Sequence, residues 1–451
     1  MSHDRAKISP AFDPLLASGG PDMRFDAIVL LRAEDELGPA VSRRRHRTSH
    51  RARLGRVREI ARAQAAVQEE IVADYRRALG ASDEELRAHG LGSGALPLAR
   101  VEVTPSTIGS LAENPNVLAI LPNQRIELIQ PLKQTLDPPS PAEVKRGRTW
   151  GLDTLEARLL WERARGEGIT VAVLDTGVHD AHPVFGGRVR AVLAFDPLGR
   201  RIKVDPAFDG DEHGTHVCGT VAGGETAEGV AIGVAPAAAL IVGAVLIGRA
   251  TLVSLLEAIG WAVEAGADVI NLSLGFTMFE PHFTLVLDRL VDQFGIVPVV
   301  SVGNESHGNT SSPGNAPSAF SVGAVMQGAD GSHHVSRFSS GASLHFPGDP
   351  RYALVHKPDV VAPGERVYSA IPPRKVAGYQ YEYAYMSGTS MAAPHVSGAV
   401  ALLMAAKPDA GARDIVLALK ESAWHPAGTT LRPDNRWGYG LIRPAEALKL
   451  L

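Results

Sequence analysis

The chain has 451 residues, of which 45% are hydrophobic and 21% charged, and its formal net charge is -4 at pH 7. This composition is typical of a globular protein with a substantial core, in one large domain or two to three smaller ones. The near-balanced charge gives no indication of a nucleic-acid or membrane-surface partner. The single cysteine, Cys218, excludes an internal disulfide.

The first 130 residues predict a leader followed by a small α+β domain. Residues 1–24 lack the basic start, apolar run and cleavage site of a secretory signal, so we expect a flexible leader and a cytoplasmic protein. Over residues 25–130, strand-like runs such as FDAIVLL and LAILPNQRIELI alternate with helical periodicity, as in AAVQEEIVADYRRAL. This order predicts a compact α+β domain.

Two segments of biased composition accompany this domain. Eight arginines between Arg43 and Arg58 could bind an acidic partner or nucleic acid, but such a run is more often a solvated face or a cleavable loop. We therefore expect no nucleic-acid partner. PLKQTLDPPSPAEVKRGR, residues 131–148, has the composition of an exposed, extended linker.

Residues 149–451 predict an α/β domain. Runs rich in Val and Ile, such as ITVAVLD, AALIVGAVL and IVPVVSVGN, alternate with helical stretches. Such alternation predicts a mostly parallel central sheet with helices on both faces and functional residues just past the carboxyl ends of its strands. Residues 229–248 are uncharged over a length that could span a bilayer, but Pro236 interrupts them, so we expect buried core segments and no membrane span.

VAVLDTGV, residues 171–178, places Asp175 at the end of one predicted strand. An aspartic protease has this local sequence, but it needs a second Asp-Thr-Gly or Asp-Ser-Gly, and the chain has neither. Later segments supply partners of another type. His213 lies in DEHGTHVCGTVAGG, and Ser390 opens the apolar helix of YMSGTSMAAPHVSGAVALLMA. These three residues form a candidate set for nucleophilic catalysis.

From about residue 149 to its end, the chain resembles the subtilisin-like serine proteases, the subtilases. Seven segments carry the resemblance in order: VAVLDTGV, HGTHVCGTVAG, VINLSLG, VVSVGN, KPDVVAPG, GTSMAAPHVSG and WGYGLIRPAEAL. The resemblance implies that Ser390 is the nucleophile of a serine endopeptidase, that His213 is its general base and that Asp175 orients His213. It also implies that Asn304 donates a hydrogen bond to the oxyanion.

The resemblance extends to the substrate and to the front domain. It implies that the backbone of Ser273, Leu274 and Gly275 pairs with extended peptide or protein substrates. Phe276 stands where the family often has another glycine, and we expect its ring to reshape the neighbouring subsites. The α+β domain resembles the family's propeptide, which implies a self-inhibited zymogen with its own N-terminal domain in the cleft. The alternative is a non-catalytic scaffold, kept occluded and used as a binding or regulatory module.

We expect no cofactor, although calcium binding elsewhere in the chain stays open. Many subtilases bind calcium through an aspartate directly after His-Pro, but Val184 occupies that position here and the loop between VAGG and GVAP is short, so this calcium site is predicted to be lost. His216 suggests a metal ligand, yet His-Glu-x-x-His is absent and a structural role is favoured. Cys218 is predicted to be a buried, inert thiol.

Overall fold

The fold comes from a computed structural model, which describes residues 5–20, 22–32, 89–91, 96–276, 279–346 and 353–451, with some positions between 55 and 73. Of the eight arginines between Arg43 and Arg58, only Arg58 lies within the described residues, and it is exposed. Described positions between 55 and 73 are helical; those from 65 onward fall within the predicted helix AAVQEEIVADYRRAL, and the others precede it.

The bounds of the helices and strands follow in chain order. The α-helices of the described residues are α1 Asp13–Ser18, α2 Thr107–Glu113, α3 Pro141–Arg146, α4 Trp150–Thr154, α5 Ala157–Trp161, α6 His213–Ala222, α7 Leu252–Glu264, α8 Phe283–Phe294, α9 Thr389–Ala406, α10 Ala412–Ser422 and α11 Pro444–Leu450. The strands in the same residues are β1 Phe25–Leu31, β2 His89–Leu91, β3 Leu98–Val103, β4 Val117–Pro122, β5 Glu127–Leu128, β6 Lys133–Thr135, β7 Thr170–Asp175, β8 Val189–Phe195, β9 Arg201–Lys203, β10 Ala239–Ala244, β11 Val269–Leu272, β12 Leu274–Gly275, β13 Val297–Ser301, β14 Phe320–Gln327, β15 His333–Val335, β16 Ala342–Leu344, β17 Val355–Lys357, β18 Val360–Pro363, β19 Val367–Val376 and β20 Tyr379–Ser387.

Among the described residues, a nine-stranded sheet forms the centre of the second half of the chain. Its order is β15-β14-β13-β11-β7-β10-β8-β9, with β18 also pairing with β14, and only the pairings of β9 and β15 are antiparallel. The inner strand β7 is buried along its whole length. Helices α6, α9 and α10 pack on one face, whereas α7 and α8 pack on the other. The predicted mostly parallel sheet with helices on both faces is confirmed.

The front part of the chain forms a smaller antiparallel sheet that packs on the larger domain. Its order in the described residues is β2-β3-β1-β4. Along β1, Ile28 and Leu30 face a core shared with α7 and α8, while Ala27, Val29 and Leu31 face a second core closed by α2. This alternation has the period of two that a strand requires. The front sheet is therefore buried on both faces.

The structure differs from the sequence prediction at the two ends of the front domain. Where a flexible leader was expected, buried Ser9 and Phe12 pack against the front domain, and the backbone of Ile8 pairs with that of Ile120. Where an extended linker was expected, Ser140 and Glu143 form a capping box that begins α3. The sequence Ser-Pro-Ala-Glu has the pattern of a capping box, with a serine three residues before a glutamate.

Helix α9 has the length and apolar composition of a membrane span, and 89% of its 18-residue window is buried inside the protein. Its sequence is apolar almost all round because neighbouring elements cover every face, as expected for a central core helix. The uncharged segment 229–248, which was predicted to be buried, contains β10, and all six residues of β10 are buried in the sheet.

Candidate active site

The three predicted catalytic side chains lie at the ends of elements that meet at one edge of the sheet. Asp175 is the last residue of β7, His213 is the first residue of α6, and Ser390 is the second residue of α9. All three are fully buried. Helices α6 and α9 pack directly against each other, which brings their N-terminal residues to the same side of the sheet.

Asp175 and His213 form a buried hydrogen-bonded pair. The Nδ1 atom of His213 lies 2.8 Å from Oδ1 of Asp175, which also accepts a 2.7 Å hydrogen bond from the backbone N–H of Thr176. Because the carboxylate can only accept, Nδ1 carries the proton and Nε2 of the neutral imidazole has a lone pair. In the described part of the chain, this Nε2 has no hydrogen-bond partner. It is therefore free to accept a proton.

The surroundings of His213 change its basicity in opposing directions. Burial lowers the pKa of the imidazole, whereas the negative charge and hydrogen bond of Asp175, with smaller contributions from Asp209 and Asp211, raise it. The net result is a pKa above the ordinary value for histidine. The surroundings of His213 therefore favour its imidazolium form.

Two glycines allow the Asp175 turn and the His213 helix to approach each other. A Cβ atom on Gly214 would collide with the carbonyl oxygen of Gly177, and a Cβ on Gly177 would collide with that of Phe208. Gly177 also has a φ of 122°, which L side chains rarely adopt. The glycines of Asp-Thr-Gly and His-Gly are therefore required by backbone contact.

A second carboxylate, which the sequence analysis missed, fixes this contact. Asp209 accepts hydrogen bonds from the hydroxyl of Thr176 at 2.6 Å and from the backbone N–H of Thr215 at 2.7 Å. Thr176 in turn accepts from the N–H of Gly214 at 2.9 Å. In the sequence, only its position four residues before His213 indicated a role for Asp209 near the site.

Ser390 contacts backbone carbonyls on both sides. Its Oγ donates to the carbonyl oxygen of Ile129 at 3.1 Å and lies 3.4 Å from that of Ser273. The hydroxyl of Ser273 donates to the carbonyl of Ser390 at 3.1 Å and accepts from Nδ2 of Asn271 at 2.9 Å. Asn271, which sequence reasoning did not select, thereby ties the end of β11 to the start of α9.

Asn304 follows β13 and faces the same chain segment as Ser390. Its Nδ2 donates to the carbonyl oxygen of Gln130 at 3.0 Å. Its Oδ1 accepts from the backbone N–H of Thr389 at 2.9 Å and from the hydroxyl of Thr389 at 3.0 Å. Because both donors bind the oxygen, the amide is held with its nitrogen towards the cleft.

Comparisons with known proteins agree with this geometry. The subtilase family matches residues 166–440. Alkaline protease of Shouchella clausii is 30% identical over 361 residues, which cover 78% of this chain and 80% of the relative. The chain belongs to the subtilase family. The resemblance identified in the sequence is thereby confirmed.

Further relatives show how far the similarity extends. Subtilisin E of Bacillus subtilis (strain 168) is 35% identical over 266 residues, which cover 57% of this chain but only 61% of the relative. Fervidolysin from Fervidobacterium pennivorans, described as a keratinolytic enzyme related to subtilisin, aligns in structure over 95% of this chain and 61% of its own, with a TM-score of 0.64 and 24% identity. This likeness shows a shared fold.

In this subtilase, the strand predicted to bind substrate pairs with the chain itself. Leu274 and Gly275 of β12 pair antiparallel with Leu128 and Glu127 of β5. The ring of Phe276 is buried in the core, with its centroid 6.2 Å from that of Phe283, and its expected effect on the subsites stays a prediction. The backbone of Phe276 exchanges two hydrogen bonds with that of Ser312.

The residues at the family's common calcium position do not fit a cation. Val184 is buried in a short helical turn, and its carbonyl oxygen accepts from the guanidinium of Arg188 and from the N–H of Gly224. Arg188 also donates to the carbonyl of Ala222 at 3.1 Å. A fixed positive charge thus lies where a cation would need oxygen ligands. Within the described residues, no group of three or more His, Cys, Asp or Glu could hold a metal ion.

His216 and Cys218 have the surroundings of structural residues. The Nε2 of His216 donates to the carbonyl of Val367 at 3.0 Å and is 3.2 Å from that of Ala384. Burial and the nearby His213 lower the pKa of His216 to about 3, so it is neutral at physiological pH. Burial, with the charges of Asp175 and Asp209, raises the pKa of the Cys218 thiol, so it stays protonated and unreactive.

Proposed function

We propose that this subtilase is a serine endopeptidase that cleaves extended peptide segments through an acyl-enzyme, with Asp175, His213 and Ser390 as its triad. The observation that carries the proposal is the buried 2.8 Å hydrogen bond between Asp175 and His213, at the N-terminus of a helix packed against the helix whose second residue is Ser390. Family membership and this arrangement favour catalysis over the alternative of a binding or regulatory module.

In the proposed mechanism, Ser390 Oγ attacks the carbonyl carbon of the substrate while its proton passes to Nε2 of His213. Asp175 holds Nδ1–H and stabilises the imidazolium. His213 then gives the proton to the leaving nitrogen as the carbon–nitrogen bond breaks, leaving an acyl-Ser390 ester. Water, deprotonated by the same imidazole, hydrolyses the ester and regenerates the hydroxyl. No cofactor is required in these steps.

Asn304 is proposed to stabilise the negative charge that develops on the carbonyl oxygen. Its amide nitrogen already binds a backbone carbonyl oxygen in the cleft, and Thr389 fixes the amide in the orientation that this role needs. A donor held in place before the reaction costs no reorganisation when the oxyanion forms.

We further propose that the chain is a self-inhibited precursor whose N-terminal domain fills its own cleft. Three contacts support this: Ser390 Oγ binds the carbonyl of Ile129, Asn304 Nδ2 binds that of Gln130, and β12 pairs with β5. These are the groups that a substrate would use, so substrate and N-terminal segment exclude each other.

Peptidase assays on the purified chain before and after limited proteolysis test both parts of the proposal. We expect little turnover of an unfolded protein substrate before proteolysis, and substantial turnover and labelling of Ser390 by a fluorophosphonate probe afterwards. Ser390→Ala should abolish both signals, whereas Ser110→Ala on the exposed surface of α2 should change neither. Activity surviving in Ser390→Ala would refute the catalytic assignment. Absence of labelling in both states would favour the binding-module alternative.

A further inference from the structure

A cavity of about 220 Å³ lies outside the catalytic cleft, between the front sheet and α8. The leucines that line it are Leu30, Leu31, Leu96, Leu98, Leu118 and Leu285. The first four are at most 4% exposed, whereas Leu118 is half-buried and Leu285 is exposed. The cavity is therefore apolar in its depth and open to solvent beside the last two leucines.

The wall of this cavity contains a largely buried positive charge, that of Arg289. Leu285, Arg289 and Gln293 follow at intervals of four along α8, so they lie on one face of the helix, and all three line the cavity. Burial lowers the pKa of Arg289 to about 10, so the guanidinium is still charged at neutral pH. Within the part of the chain that the structure describes, no hydrogen bond or ion pair reaches this guanidinium.

The neighbouring carboxylates on α8 pair with a different arginine. Asp292 accepts hydrogen bonds from Nε and Nη2 of Arg413 at 2.7 and 2.8 Å, and Asp288 lies 3.8 Å from the same guanidinium. Arg413, which belongs to α10, therefore engages both acidic groups. A buried charge without a partner is unfavourable, because burial removes its water without replacing the hydrogen bonds. An anion bound beside Arg289 would supply the missing acceptor.

The apolar lining and the unpaired charge together specify the chemical class of a ligand. A guanidinium presents planar N–H donors that match a carboxylate. The leucines offer only apolar contact, so an inorganic anion would leave them uncovered, and an uncharged hydrocarbon would leave Arg289 unpaired. The volume lies below the range of about 300–1,000 Å³ that is typical of pockets for drug-sized ligands, which indicates a chain of medium length. The cavity thus fits an alkyl carboxylate.

We propose that the cavity between the front sheet and α8 binds a medium-chain alkyl carboxylate, with the carboxylate on Arg289 and the chain against the leucines. This site is separate from the catalytic cleft, and the inference does not depend on the proposed function. Because the front sheet and α8 each supply part of the wall, a bound carboxylate bridges them and stabilises their contact by mass action.

The test is a calorimetric titration of the full-length Ser390→Ala chain, which lacks the candidate nucleophile, with octanoate, hexanoate and 1-octanol. We expect one octanoate to bind per chain. Hexanoate buries two fewer methylene groups and should bind roughly tenfold more weakly. Octanol has the same chain length but no charge. It should bind roughly 10- to 100-fold more weakly than octanoate, which is what a hydrogen bond to a charged group contributes to affinity.

Arg289→Met in the same background removes the charge and keeps an unbranched apolar side chain in the wall. We expect this variant to bind octanoate roughly 10- to 100-fold more weakly, while its affinity for octanol changes little. Arg190→Met, at an exposed arginine of β8, is the matched control and should bind octanoate like the parent chain. Leu118→Trp should fill the open side of the cavity and weaken the binding of octanoate and octanol alike. Circular dichroism checks that each variant is folded.

Three results would overturn the inference. One is octanol binding to the parent chain as tightly as octanoate, a comparison that needs no variant and stays decisive if Arg289→Met does not fold. Another is octanoate binding to folded Arg289→Met with unchanged affinity. The third is the absence of saturable binding of one octanoate per chain at millimolar concentration. Peptidase activity is measured separately on the chain that retains Ser390, so failure of the proposed function leaves this result unaffected.

Discussion

Replacement of Asn304 by alanine tests the most consequential side chain outside the triad. The amide nitrogen is the side-chain donor that binds a cleft carbonyl, at 3.0 Å, and its orientation depends on two hydrogen bonds from Thr389. Loss of one such donor lowers kcat by about 10²- to 10³-fold, or roughly 2.7–4 kcal/mol of transition-state stabilisation, a range established with subtilisin. We expect Asn304→Ala to fall in this range, with KM little changed, because the ground-state carbonyl gains less from the donor than the oxyanion does.

The assay is peptide hydrolysis by the enzyme opened by limited proteolysis, with Asn116→Ala, an exposed asparagine of the front domain, as the matched control. Thr389→Val should give a smaller loss, because it removes one of the two bonds that orient the amide; a net hydrogen bond of about 1 kcal/mol corresponds to roughly fivefold in rate. An Asn304→Ala enzyme that keeps kcat within about tenfold of wild type would refute the oxyanion assignment.

Three further predictions concern pH, cations and thiol chemistry. Asp211 raises the pKa of His213, and catalysis needs the neutral imidazole, so Asp211→Asn should move the acid limb of the kcat/KM profile to lower pH; an unchanged or higher limb would contradict the assigned base. Chelators should leave the thermal unfolding temperature unchanged. Arg188→Met should lower the free energy of unfolding by about 2 kcal/mol, because it removes a hydrogen-bond donor from buried carbonyl oxygens. Exposed Arg190→Met, two residues farther along the chain, is the control, and destabilisation by chelators would contradict the absence of a structural cation. Thiol reagents should leave activity intact because Cys218 is buried, and rapid inactivation would contradict this.

The sequence contained enough information to predict the elements that form the site. Asp175, His213 and Ser390 could be selected because each stands beside a strand or helix with a strong pattern: a continuous apolar run before the aspartate, and small-residue helices after the other two. Parallel strands end at a common edge, so their terminal residues converge without any long-range information. The parallel sheet was predictable for the same reason, since buried strands remain apolar on both faces.

Features that depend on register or side-chain direction were not predictable in this way. Phe276 follows a conspicuous motif, but its burial in the core and its backbone pairing with Ser312 involve residues far apart in the chain. The packing of Ser9 and its bond to buried Glu280 join residues 271 positions apart. Local composition predicts loops for such segments, because it does not show which distant residues pack over them.

The proposed self-inhibition implies that opening the cleft requires a covalent or conformational step rather than competition by substrate. A tethered segment has an effective concentration in the millimolar range even when its linkers are flexible. Here β5, β6 and the bond from Ser140 to Tyr385 order the flanks of residues 129–132, so little additional entropy is lost when these residues bind in the cleft. A free peptide loses its full translational and rotational entropy when it enters the same cleft. Under this proposal, substrate would displace the segment only after one of these flanking contacts is lost.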